Sequence, residues 1–286
     1  MTGDGRNMDF KKISELILPR QTLFALPFAY IGVLFAGGAK PETWIWASVA
    51  LAAARTAGMA FNRVIDADID AKNPRTKNRP VPRGELRPAG VWALGFFCLA
   101  ALILAAWQLN PLCFYLSFPA ALLLIFYSYC KRITAASHFF LGCVEAAAPV
   151  GGYLAVSGQL SPFPLLLGAI ILTWIAGLDI AYALQDTEFD REAQLFSIPA
   201  RLGEKTALRV SAACYMLCLA GMLAAGLIAK SGIFYFTAVA GIGLIFLRQQ
   251  MLVRRQNIEP AMQLFFQINM YVAPMLFLGT LADVYL

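Results

Sequence analysis

The sequence predicts an all-α, polytopic membrane protein: nine transmembrane helices in one bundle, with long cytoplasmic cap loops after helices two and six. Three observations carry this. Of 286 residues, 59% are hydrophobic and only 14% charged, where a soluble domain has ~45–50% and ~25%. Nine apolar stretches approach the ~20 residues that cross a bilayer as a helix. Of the 23 Lys and Arg, all but Lys40, Lys230 and Arg55 fall in alternate connections, the asymmetry that marks a cytoplasmic side.

Residues 1–21 read as a cytoplasmic N-terminal segment, because Lys11, Lys12, Glu15 and Arg20 interrupt it and no cleavage site of small residues follows. The first span is therefore expected to remain, at 22–38. The second, 43–61, holds Arg55 at membrane depth and runs into the charged stretch "AFNRVIDADIDAKNPRTKNRP". Pro74, Pro80 and Pro82 stop that stretch from continuing as a helix, making 62–88 a long inner connection. Spans three to six follow at 89–107, 111–130, 138–157 and 162–184, and the second long inner connection covers 185–208. The last three spans lie at 209–229, 232–247 and 264–284. This arrangement puts the N-terminus inside and the C-terminus outside, with 1–286 as one domain. It also accounts for the net charge of +6 without nucleic acid, and no protein partner is required.

Six cysteines lie in or beside spans without CxxC spacing, and His138 is the lone histidine. Their expected role is packing in the bundle. A thiolate or histidine metal site and a Ser-His-Asp triad have almost nothing to stand on.

The chemistry concentrates in two carboxylate ladders. Asn62, Asp66 and Asp70 end span two, and Asp186 and Asp190 end span six. Residues four apart share a helix face, and like charges there cost ~0.2–0.5 kcal/mol per pair even when exposed. Beside a low-dielectric bundle the repulsion grows, and a bound cation relieves it. Oxygen-only ligands suit Mg2+, which takes one or two carboxylates plus substrate phosphates. Asp68 and Glu188 point elsewhere. Cations follow each ladder on the same membrane face: Arg75, Lys77, Arg79, Lys131, Arg132 and Arg191. Together they describe a clamp for a phosphate or diphosphate. Arg55 and Asp179 lie seven residues before Asn62 and Asp186, two turns deeper on the same faces. With Tyr182 they form a second polar layer, and Glu145 in span five is either an interhelical ion-pair partner or a ligand contact.

"NRVIDADID" with "RTKNRPVPRGEL", "DIAYALQDTEFD" and "YSYCKR" at 127–132 resemble the signatures of the UbiA-type intramembrane aromatic prenyltransferases, over most of the chain. The resemblance implies Mg2+-dependent transfer of a polyprenyl group from its diphosphate to an aromatic acid during quinone synthesis. Carried over by position, Asn62, Asp66, Asp70, Asp186 and Asp190 hold Mg2+. Arg75, Lys77, Arg79, Lys131, Arg132 and Arg191 grip the diphosphate, and Arg55, Asp179 and Tyr182 line the acceptor pocket. The four ladder aspartates and Asp179 would carry the catalysis, Asp179 as the base.

"TLFALPFAYIG", "ARTAGMAFNR" and "KNPRT" resemble the branch serving the futalosine route to menaquinone, whose acceptor is 1,4-dihydroxy-6-naphthoate. The alternative acceptor is 4-hydroxybenzoate, on the ubiquinone route. Arg63 departs from relatives that carry an acidic residue after the motif asparagine. Tyr127, Tyr129, Tyr153 and Trp174 are expected aromatic walls for an allylic cation. The competing class is an ion-coupled transporter using the ladders as a cation site. Against it, the ladders sit at helix ends on one face rather than at a midplane break.

Overall fold

A computed structural model describes residues 10–254 and 258–286, so residues 1–9 of the expected N-terminal segment lie outside it. The described residues contain helices and no strand. In chain order they are α1 (Phe10–Ile17), α2 (Pro19–Phe35), α3 (Pro41–Ile65), α4 (Ala67–Lys72), α5 (Pro88–Leu109), α6 (Pro111–Cys130) and α7 (Ser137–Ser157). There follow α8 (Pro162–Tyr182), a 3-10 turn (Ala183–Asp186), α9 (Thr187–Glu192), α10 (Ile198–Leu202), α11 (Glu204–Ala229), α12 (Ile233–Leu252), α13 (Ile258–Asn269) and α14 (Val272–Tyr285).

Proline at the first helical position opens α2, α3, α5, α6 and α8, where its missing N–H costs nothing and its φ is already helical. Eight segments among the described residues are long and apolar enough to cross a membrane, and the apolar part of α2, Ala25–Phe35, is shorter. The final expected span, 264–284, is helical on both sides of a break at Met270 and Tyr271. Pro274 supplies no N–H for the Met270 carbonyl, four residues back, and its ring crowds that oxygen. The two cap connections each contain short helices: α4 in the first, α9 and α10 in the second.

Helices adjacent in the chain pack as neighbours, and α14 returns to α2, while α2 also packs on α7 across the bundle. Inside, Trp174 is fully buried with the Phe28 ring 5.0 Å away edge-on, and Tyr215 stacks on Phe246 at 4.3 Å. Outside, Phe97, Leu122, Leu227 and Ile233 are each 70% exposed or more. Large apolar side chains turned outward all round a bundle have lipid, not water, as their solvent.

The α2–α7 crossing depends on two glycines. A Cβ on Gly152 would stand 2.0 Å from the Ala29 carbonyl oxygen, and one on Gly32 would stand 2.1 Å from that of Pro149. Small residues of this kind let membrane helices approach backbone to backbone. Gly152→Ala is expected to push the helices apart and cost about 1–3 kcal/mol, read as a lower thermal midpoint in detergent. Gly151→Ala, where a Cβ would meet nothing within 4 Å, should leave the midpoint unchanged; equal effects would refute the close-packing account.

Candidate active site

The C-terminal ends of α3 and α8 open into a polar cavity of about 170 Å³. Helix α3 stops at Ile65, but the hydrogen-bond ladder runs on: the Asp66 N–H donates to the Asn62 carbonyl at 3.0 Å, and the Asp70 N–H to the Asp66 carbonyl at 2.8 Å. Asn62, Asp66 and Asp70 therefore share one face, and all three line the cavity. From the other side come Asp186, at the end of the 3-10 turn, and Asp190 on α9. Asp68 and Glu188 are exposed.

Each buried carboxylate meets a cation. Lys131 Nζ lies 2.8 Å from Asp66 Oδ2, which also accepts from Asn62 Nδ2 at 3.0 Å. Arg79 Nη1 donates to Asp70 Oδ2 at 2.6 Å. Asn73, Arg75, Thr76 and Arg79, from the loop after α4, line the cavity and tie the two ladders together. Asn73 Nδ2 and Arg75 Nε both donate to Asp186 Oδ1 at 3.0 Å, and Arg75 Nη1 donates to the Tyr182 hydroxyl at 2.8 Å. Burial works against the Arg75 charge, but Asp186, Tyr182 and Asp70 outweigh it and raise the guanidinium above its ordinary value. It stays a full cation at any working pH.

The donor set fits Mg2+ by chemistry. It is oxygen only, and Asp66 Oδ1 is buried without a hydrogen-bond partner. Arg132 Nη1 stands 3.0 Å from that oxygen, yet its hydrogen bond goes to the Ser128 carbonyl at 2.8 Å. Among the described residues no three His, Cys, Asp or Glu side chains form a closed metal cluster. An ion that keeps its waters and takes phosphate oxygens needs no such cage.

Not every expected residue reaches the cavity. Lys77 is exposed and does not line it, because the turns that follow Asn73 carry it outward. Arg191 Nε donates to the Ala200 carbonyl at 3.2 Å, bracing α9 on α10. Arg132 staples α6 to α3 through the Ser128 and Ile65 carbonyls, both at 2.8 Å. Of the expected aromatic walls only Tyr127 lines the cavity. Trp174 donates to Asn269 in the core, Tyr153 packs near Phe163, and Tyr129 lies under the Arg132 guanidinium.

The deeper layer divides. Asp179 and Tyr182 line the cavity, whereas Arg55 does not: it is ion-paired with Glu145 on α7. Asp179 instead meets the histidine that sequence reasoning set aside. His138 Nδ1 lies 2.7 Å from Asp179 Oδ2, and the Ile198 N–H donates to His138 Nε2 at 3.3 Å. The signal for this pairing was faint. His138 lies seven residues before Glu145, on the same face of α7, as Arg55 and Asp179 lie seven residues before Asn62 and Asp186 on theirs.

The result is a polar cavity lined by carboxylates and cations at the C-terminal ends of two helices long and apolar enough to cross a membrane. Residues 25–271 match the model of the UbiA prenyltransferase family. The chain is 30% identical to a 4-hydroxybenzoate octaprenyltransferase of Aeromonas hydrophila, over 96% of this chain and 93% of that protein. It is 32% identical to a protoheme IX farnesyltransferase of Methylococcus capsulatus, over 90% and 88%. Its fold matches the apo structure of a UbiA homolog from Aeropyrum pernix K1 with a TM-score of 0.86, at 31% identity over 92% of this chain and 98% of that one. A UbiA homolog from Archaeoglobus fulgidus, bound to DMAPP and Mg2+, shares the fold with a TM-score of 0.69 at 18% identity, over 96% and 98%. The chain is a multi-pass membrane enzyme. It belongs to the UbiA prenyltransferase family, which decides between prenyl transfer and ion-coupled transport.

Proposed function

We propose that this enzyme transfers a polyprenyl group from its diphosphate to an aromatic acid in quinone synthesis, with Mg2+ as cofactor. The acceptor is 1,4-dihydroxy-6-naphthoate or 4-hydroxybenzoate. One observation carries the reading: one cavity at the C-terminal ends of α3 and α8 gathers Asn62, Asp66, Asp70, Asp186 and Asp190 with Arg75, Arg79 and Lys131. The 30% identical relative named for 4-hydroxybenzoate supports an aromatic acid. In this reading the protein is one domain of nine spans in the cell inner membrane, with its N-terminus and cavity cytoplasmic and its C-terminus outside.

Asn62 and the ladder aspartates would hold Mg2+, which supplies Lewis-acid neutralisation of diphosphate charge. Arg75, Arg79 and Lys131 already stand at the cavity. They exchange their carboxylate partners for phosphate oxygens and stabilise the leaving group. The allylic C–O bond breaks, and its electron pair leaves with the diphosphate. Tyr127 offers its π face to the allylic cation. An acceptor ring carbon forms the new C–C bond, and the ring proton passes to Asp179. The low-dielectric wall keeps water from the cation.

The test offers purified protein Mg2+, farnesyl diphosphate and three acceptors in parallel: the naphthoate, the benzoate and protoheme, the last prompted by the farnesyltransferase relative. The expected product is an aromatic acid heavier by one prenyl group. Reaction with protoheme alone would overturn the acceptor class and leave the transferase standing.

A further inference from the structure

Five aspartates face the cavity, and they are held in different ways. Asp66, Asp70 and Asp186 are ion-paired with Lys131, Arg79 and Arg75, and Asp190 accepts a hydrogen bond from Ser197. A cation in contact with a carboxylate oxygen occupies lone pairs that an incoming proton would need. Asp179 has a different kind of partner. Its Oδ2 meets His138 Nδ1 at 2.7 Å, and the ring stands on α7 with only 4% of its side chain exposed.

The other ring nitrogen fixes what that contact is. His138 Nε2 faces the backbone N–H of Ile198, the first residue of α10, at 3.3 Å. A backbone N–H can only donate, so Nε2 carries the lone pair and Nδ1 carries the proton. The ring is therefore a donor to Asp179 and has no free lone pair with which to act as a base. A doubly protonated ring would set N–H against N–H at Ile198. The anchor is firm: Ser197, next in line, caps α10 by accepting from the Ala200 N–H at 3.4 Å, and Phe196 donates to the Lys131 carbonyl at 2.7 Å.

We infer that His138 is the positioning residue of the acceptor half of the site: as a neutral Nδ1–H donor it fixes the Asp179 carboxylate by one oxygen and leaves the other for the substrate. This rests on the proposed role of Asp179 as the proton acceptor. It inverts the usual division of labour, in which a carboxylate orients a histidine base.

His138 is the lone histidine, which makes the inference directly readable. Protein labelled with 15N-histidine, purified without a histidine tag, gives one pair of ring nitrogens near neutral pH. The expected spectrum shows a neutral ring protonated at Nδ1; a proton on Nε2 overturns the inference. This measurement needs no turnover, so it stands apart from any failure of the acceptor assignment.

Turnover then separates positioning from mere packing. The His138→Asn amide can place a donor where Nδ1 stood, and His138→Gln reaches only the Nε2 position. Expected are a kcat loss of about 10- to 100-fold for His138→Gln, substantial rescue in His138→Asn, and a KM for farnesyl diphosphate unchanged within about twofold in both. Equal losses in the two variants, or a parallel rise in that KM, overturn the inference. In an Asp179→Asn background, His138→Gln should cost nothing further. Should Asp179→Asn itself turn over normally, the proposed base is wrong, and the positioning role falls with it even if the tautomer is as expected.

Discussion

Asp186→Asn is expected to lower prenyl transfer by about 10²- to 10³-fold, with the protein still folded and membrane-extractable. Removing one preorganised electrostatic group from a transition state typically costs that much, ~3–4 kcal/mol at 1.36 kcal/mol per tenfold. Two losses combine here. The substituted amide cannot supply charge to a cation, and it turns the oxygen that accepts from Arg75 Nη2 into an N–H donor facing the guanidinium. Asp66→Asn and Asp190→Asn should fall in the same range. Asp68→Asn and Glu188→Gln are the controls, since both side chains are exposed and should change turnover less than about twofold. The check is initial rate at saturating acceptor with Mg2+ titrated. Retained activity in Asp186→Asn, or equal losses in the controls, would sink the assignment of the ladders to Mg2+ and diphosphate.

The ladders were legible in the sequence because i, i+4 spacing is local: a helix that continues past the membrane must put Asn62, Asp66 and Asp70 on one side. The bundle was legible for a similar reason, each span being a continuous apolar run. Two limits came from backbone detail. The break at Met270 turns on the missing N–H of Pro274, four residues on, inside a run that composition reads as unbroken. The cap connections fold into short helices that their polar composition masks. Side-chain partners were the hardest to read. Lys77 and Arg191 belong to the same basic face as Arg75 and Arg79, yet turn geometry carries Lys77 out and the Ala200 carbonyl holds Arg191. His138 and Asp179 are 41 residues apart, and no periodicity within one helix announces a contact between two.

Arg55 shows the same limit at its sharpest, and its variants should be the least stable of all those considered. The family resemblance implied that Arg55 lines the acceptor pocket, but in the structure the guanidinium is ion-paired with Glu145, with side-chain exposures of 20% and 11%. Both lie in segments long and apolar enough to span the membrane. Deleting one partner of a buried pair leaves a charge in low dielectric and costs ~3–5 kcal/mol, whereas replacing both with apolar groups is often neutral. Arg55→Leu and Glu145→Leu are each therefore expected to lower the thermal midpoint sharply, and the double substitution to recover most of the loss. Acceptor kinetics then follow from competition. An aromatic carboxylate reaches Arg55 only by displacing Glu145, so Glu145→Gln should lower the acceptor KM about tenfold, ~1.4 kcal/mol, while Arg55→Leu raises it. The KM for prenyl diphosphate should move in neither. A Glu145→Gln variant whose acceptor KM rises would show that Glu145 holds Arg55 in its working position rather than competing for it. An unchanged acceptor KM in Arg55→Leu would remove Arg55 from acceptor binding and leave the pair as a structural tie between α3 and α7.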